Sequence, residues 1–224
     1  MIRFVFVFIL VSTVARSAEL LTNCARFNEA PKWLSLSRVN RVADNVSRIM
    51  EWEIRRVDVR WYQNQKDFEK AHSLGPMALA VTQRSANRIL LGPKIVESNF
   101  DRIFGHELVH ITSEQKYKGA IPKWLEEGMA NHIAKFGKVD YKTLSKNPLP
   151  KDVTKMIHPM SGTEHDILNH YMTSQALAEM LNSRCDFRNL LRLSVQRKME
   201  DYLEKICRIS NINESFQKWV TSQK

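Results

Sequence analysis

Residues 106–131 read HELVHITSEQKYKGAIPKWLEEGMAN. The stretch opens with two histidines four residues apart, His106 and His110, and Glu107 follows the first of them. On a helix such a pair stands about 40° apart, so both imidazoles can reach one ion. Zinc takes imidazole nitrogen and accepts a tetrahedral shell. Glu107 neighbours His110 at i,i+3 and can lean over the open position of a bound metal, where its carboxylate would take a proton from water. Pro122 then stands where the first residue of a new helix belongs. Two antiparallel helices joined by a connection of about 5–12 residues would return the second one to the same ion. That second helix carries Glu126 and Glu127. Glu127 precedes Gly128, whose missing side chain lets the two helices pack closely, whereas Glu126 points about 100° away. Glu127 is therefore favoured as the third ligand. Asn131 lies one turn further on the same face, placed to hydrogen-bond a ligand imidazole. His132 faces away from Glu127.

Upstream of this pair the pattern is mixed. Val39, Val42, Val46, Ile49 and Met50 fall at helical spacing within 37–53. RVDVRWY at 56–62 alternates charged and apolar residues, the period of a half-buried strand. A short helix is expected at 66–73, then strands at 77–82 and 88–91, closed by Gly92-Pro93. These give a small, mostly antiparallel sheet. Downstream, helices are expected at 99–117, 123–136, 165–182, 187–207 and 213–222, with a long loop at 137–163. The order, mixed half then helical half, is that of an α+β protein with a single domain over 18–224. The tryptophans at 33, 52, 61, 124 and 219 suit core positions, with Trp124 wedging the second helix against the sheet. His158, His165 and His170 read as solvated or capping residues, and His72 has no assigned role.

Residues 1–17, MIRFVFVFILVSTVARS, have the layout of a secretory signal peptide: Arg3, an apolar stretch, then small residues. Cleavage after Ser17 puts Ala15 and Ser17 at the two recognised small positions. It removes two arginines and no acid, lowering the net charge from +10 to +8. The expected location is secreted or periplasmic, with no transmembrane span in the mature chain, because the apolar segment is short for a bilayer of about 30 Å. Export allows disulfides. Of Cys24, Cys185 and Cys207, the last two flank a helical stretch and could pair across it. Asn45-Val46-Ser47 and Asn213-Glu214-Ser215 fit the glycosylation sequon. The excess of 34 Lys+Arg over 24 Asp+Glu favours anionic surfaces, including acidic envelope polymers. No run of five basic residues occurs, and no nucleic-acid partner is expected.

HELVH at 106–110 and WLEEGMA at 124–130 resemble the paired blocks of the gluzincin metallopeptidases of the peptidase MA clan, H-E-x-x-H followed by W-L-x-E-G-x-A. The chain is most similar to compact peptidase MA-like domains. The resemblance implies a zincin-like fold and one Zn2+ per chain on His106, His110 and Glu127. It implies Glu107 as general base toward the zinc-activated water and then acid toward the leaving amine. The Y-x-x-S match at Tyr171-Met172-Thr173-Ser174 implies Tyr171 as oxyanion donor, although a tyrosine there also suits the core. Where relatives of this kind carry Asp one turn after the ligand Glu, this chain carries Asn131. Strand 77–82 or 88–91 would pair with the backbone of a peptide or protein substrate. A metzincin would need Gly at 113 and His at 116, where Ser113 and Lys116 stand. The expected function is an exported zinc peptidase. Two alternatives remain: a non-catalytic zincin-fold module docking an anionic envelope component, and a hydrolase of another amide or ester.

Overall fold

A computed structural model of the protein describes residues 18–135, 137–156 and 163–223. The expected signal peptide, 1–17, and His158 lie outside the described residues. The elements run β1 (Ala18–Leu21), β2 (Ala25–Ala30), α1 (Leu36–Met50), β3 (Val57–Trp61), α2 (Gln65–Ala71), β4 (Ala80–Gln83) and β5 (Arg88–Leu91). Then follow α3 (Phe100–Thr112), α4 (Lys123–Ile133), α5 (Tyr141–Leu144), α6 (Glu164–Arg184), α7 (Phe187–Leu193), α8 (Glu200–Cys207) and α9 (Ile212–Ser222). The architecture is α+β. Among the described residues no helix is long and apolar enough to cross a membrane.

The five strands form one sheet in the order β1-β2-β3-β5-β4. The sheet is mixed rather than mostly antiparallel: β2, β3 and β5 run parallel, and β1 and β4 lie antiparallel at the two edges. The correction has a simple cause. Helix α1 lies between β2 and β3, and a helical crossover returns the chain in the same direction. β1 and β2 were not expected as strands, since AELL and ARFNEA carry few β-branched residues. Within β2 the burial of Ala25 and Phe27 against exposed Arg26 and Asn28 is the strand signal that matters.

Phe27, Val59 and Ile89 stand in register across the sheet on its inner face, and all three are fully buried. Helices α1 and α3 are bound to each other by Arg38 and Arg41, which both pair with Asp101. Phe100 and Phe104 of α3 stack at 5.1 Å, and Phe27 meets Phe104 at 5.4 Å, so α3 is fixed on the sheet by an aromatic cluster. On the outer face Arg26, Arg60 and Arg88 all pair with Asp58.

Long α6 crosses α4. A Cβ on Gly128 would lie 1.7 Å from the Ser174 carbonyl oxygen, so only glycine permits this approach. The close packing expected at Gly128 is therefore with α6, not with α3. Trp124 is buried, but its Nε1 donates to Glu200 in α8, which ties α4 to the helical half rather than to the sheet. The single helix expected over 187–207 is two, because Gln196 adopts a left-handed φ of 57° between them. Cys185 and Cys207 form a disulfide that brackets α7 and α8, and Cys24 is a buried free thiol. Both sequon asparagines lie inside helices with their side chains committed. Asn45 donates to the Ile133 carbonyl, and Asn213 accepts from Val153 N. Part of the expected loop 137–163 is tied down: Tyr141 in α5 donates to Glu179 and accepts from Trp219.

Candidate metal centre

Helix α3 buries ten consecutive residues, Ile103–Thr112, between sheet and α4. His106, Glu107 and His110 belong to that run, so their side chains project into protein rather than solvent. A π-helical turn, Ser113–Tyr117, ends α3, and the chain reverses through Lys118 in the left-handed region. Helix α4 then returns alongside with Glu126, Glu127 and Asn131, all buried.

The expected ligands meet. Suitable atoms of His106, His110 and Glu127 lie within 4.8 Å of one another. His106 Nε2 is 3.1 Å from His110 Nε2 and 3.2 Å from Glu127 Oε2. His110 Nε2 is 3.5 Å from Glu127 Oε1. The outer ring atoms are also provided for. His106 Nδ1 is 2.8 Å from Asn131 Oδ1, an acceptor, so the ring donates there and turns its Nε2 lone pair inward. His110 Nδ1 lies 3.6 Å from Glu126 Oε1. Two imidazole nitrogens and a carboxylate thus converge with their electron pairs on one buried point, which needs a proton or a cation. His106, His110 and Glu127 can hold a metal ion, and their donor set suits zinc and its neighbours.

The electrostatics agree. Burial alone would lower the His110 pKa, but the charge of Glu127 and hydrogen bonds to Glu126 and Glu127 raise it to about 10. Burial would raise the Glu127 carboxyl; the two histidines outweigh it and hold the group well below the usual range. Glu126 is likewise raised by burial and brought below its usual value by His110 and Arg84.

Glu107 is positioned by β4: Thr82 Oγ1 donates to Glu107 Oε2 at 2.6 Å. Tyr171, on α6, is half-buried. Burial raises its phenol first, and the charges of Glu127 and Glu107 raise it further, so it stays protonated beside the two carboxylates. His132 packs against Phe187 and His165 is exposed; neither joins the ligand group. His72 packs on the Phe68 ring. Sequence reasoning missed Thr82, Arg84 and the contact of Glu126 with His110. Only Glu126 carried a local signal, as the residue beside the ligand.

The chain matches no protein-family model and no curated protein.

Proposed function

We propose that the protein is an exported zinc-dependent peptidase of the gluzincin type. The observation that carries this reading is the convergence of His106, His110 and Glu127 beside a buried Glu107 fixed by an edge strand. Zinc held by the three residues supplies a Lewis acid and lowers the pKa of water at the site. Glu107, oriented by the Thr82 hydroxyl that donates to its Oε2, accepts a proton from the attacking water. It then returns that proton to the leaving amine. Tyr171 donates its phenolic proton toward the oxygen that gains charge. Asn131 holds the His106 ring in the tautomer that offers Nε2.

Substrate would lie along β4. Of the two strands considered, β5 is interior and paired on both sides, whereas β4 is the edge. Thr82 belongs to β4, so a peptide paired with this strand lies next to Glu107. The disulfide between Cys185 and Cys207 supports an oxidising compartment, as the leader-like residues 1–17 do.

The test is zinc content together with hydrolysis of a peptide library. The parent is expected to hold one zinc, and Glu127→Ala to lose most of it. Glu107→Gln is expected to keep the metal and to lose hydrolysis by about 100- to 10,000-fold. Hydrolysis at the parental rate in that variant would remove Glu107 from the mechanism.

A second reading rests on the outer sheet face, where Arg26, Arg60 and Arg88 all pair with Asp58. That excess of guanidinium supports docking on an anionic envelope component, with or without hydrolysis. Sedimentation with anionic but not neutral vesicles, abolished by salt, would favour it.

A further inference from the structure

We propose that Arg84 is a positioning residue of the metal centre, acting through Glu126 to hold the His110 ring with its Nε2 toward the ion. The inference rests on the metal-site reading and not on peptide hydrolysis.

His110 can give an Nε2 lone pair to a cation only when its proton sits on Nδ1. That proton needs an acceptor. Two groups lie near Nδ1: Glu126 Oε1 at 3.6 Å and Arg84 Nη2 at 3.4 Å. Arg84 is within hydrogen-bond distance of Nδ1 but a guanidinium can only donate, so Glu126 Oε1, just beyond that distance, is the group of the two able to accept a proton from Nδ1. Glu126 is buried next to a second carboxylate, Glu127, and its own position needs a cation. Arg84 supplies one, with Nη2 at 2.5 Å from Glu126 Oε1. The one carboxylate oxygen thus faces both donors.

Arg84 is held in place by its backbone. It opens the 3-10 turn Arg84–Ala86, which directly follows β4. Asn87 ends that turn in the left-handed region, its N donating to the Arg84 carbonyl. The Asn87 side chain donates to the Arg56 carbonyl and accepts from Gln115, so the turn is pinned to the start of β3 and to the π-helical turn. The metal centre is thereby fixed from outside the α3–α4 hairpin. The Arg–Glu–His series reaches it from the strand that would carry substrate.

The test compares the parent with Arg84→Met, Arg84→Lys, Glu126→Gln and the Arg84→Met/Glu126→Gln pair. Zinc affinity is read by competition with a chromophoric chelator, and ligand geometry by the visible spectrum of the cobalt(II)-loaded protein. Arg84→Met is expected to weaken zinc by about 10- to 100-fold and to shift the cobalt bands. Arg84→Lys should recover part of both. Arg84→Met should add nothing once Glu126 is Gln. Parental affinity and an unchanged spectrum in Arg84→Met would overturn the proposal, as would additive losses in the double variant. Should Arg84→Met not fold, Arg84→Lys and Glu126→Gln carry the comparison, and parental spectra in both overturn it. A protein that binds zinc yet cleaves no peptide would end the peptidase reading and leave this result standing. A parent that takes up no metal overturns both.

Discussion

His110 has two ring nitrogens, and two adjacent carboxylates take one each: Nε2 lies 3.5 Å from Glu127 and Nδ1 3.6 Å from Glu126. The 100° step between consecutive helical residues was reason to turn Glu126 away from the site. An imidazole is wide enough to span that step, so both residues of the pair contribute. His106, Glu107, His110, Glu127 and Asn131 were legible because their spacings are local to single helices. Thr82 and Arg84 were not, because they reach the same point from a strand and a turn more than 20 residues upstream of their partners. The metal-free centre also predicts a proton count. With its pKa raised to about 10 against an ordinary 6.5, His110 is charged at neutral pH and must lose a proton when a cation binds. Calorimetry near pH 7.5 in buffers of differing ionisation enthalpy should show about one proton released per zinc. Affinity should climb as pH rises toward 10. The sign for the metal-free fold is opposite. The stabilisation from charged His110 is fully present below pH 6.5 and is lost as pH rises through about 10. Zinc uptake without proton release would mean that His110 is already neutral.

Helices with a long period were the legible elements: α1, α3, α4, α6 and α9 all lie where the apolar spacing put them, within a few residues at each end. The strands were less so. β3, β4 and β5 lie where they were expected, β4 starting at Ala80 rather than 77, but β1 was missed because four residues offer a period-two pattern too short to stand out from a loop. Parallel pairing was invisible for another reason: it depends on how α1 crosses over, which no local pattern records. Gly128 was recognised as a close-packing position, but its partner is set by a helix more than 40 residues away. This crossing makes a sharp prediction. A methyl group in Gly128→Ala would overlap the Ser174 carbonyl, and α4 must shift to accept it. We expect a loss of about 1–3 kcal/mol or more in stability by denaturant titration. Because Glu127 is the next residue, zinc content should fall as well. Unchanged stability would mean that α6 can move aside freely. The matching change on the exposed face of α1, Asn40→Ala, should leave both measurements within experimental error.

Across the whole molecule, the disulfide closes a loop between residues 185 and 207 that contains α7 and α8. Cross-linking residues 22 apart restricts the unfolded chain by about 3 kcal/mol. Replacing both cysteines with alanine should lower the unfolding midpoint by roughly that amount, while zinc content stays near the parental value because the ligands lie outside the loop. Loss of metal in that variant would show that the bracket also sets the site. The α+β class was legible from the order of patterns along the chain, whereas the pairing of distant segments was not. That contrast bears on how the protein assembles. The sheet joins residues 25–28 to 57–60 and 58–61 to 88–91, pairings that must wait for long loops to close. All three candidate ligands, by contrast, fall within residues 106–127 on one helical hairpin. A short loop closes early. Zinc should therefore act as a nucleus, gathering the hairpin before the sheet is complete. Refolding from denaturant in stopped flow should be faster with zinc present from the start than with zinc added afterwards. Equal rates would place metal capture after the rate-limiting step.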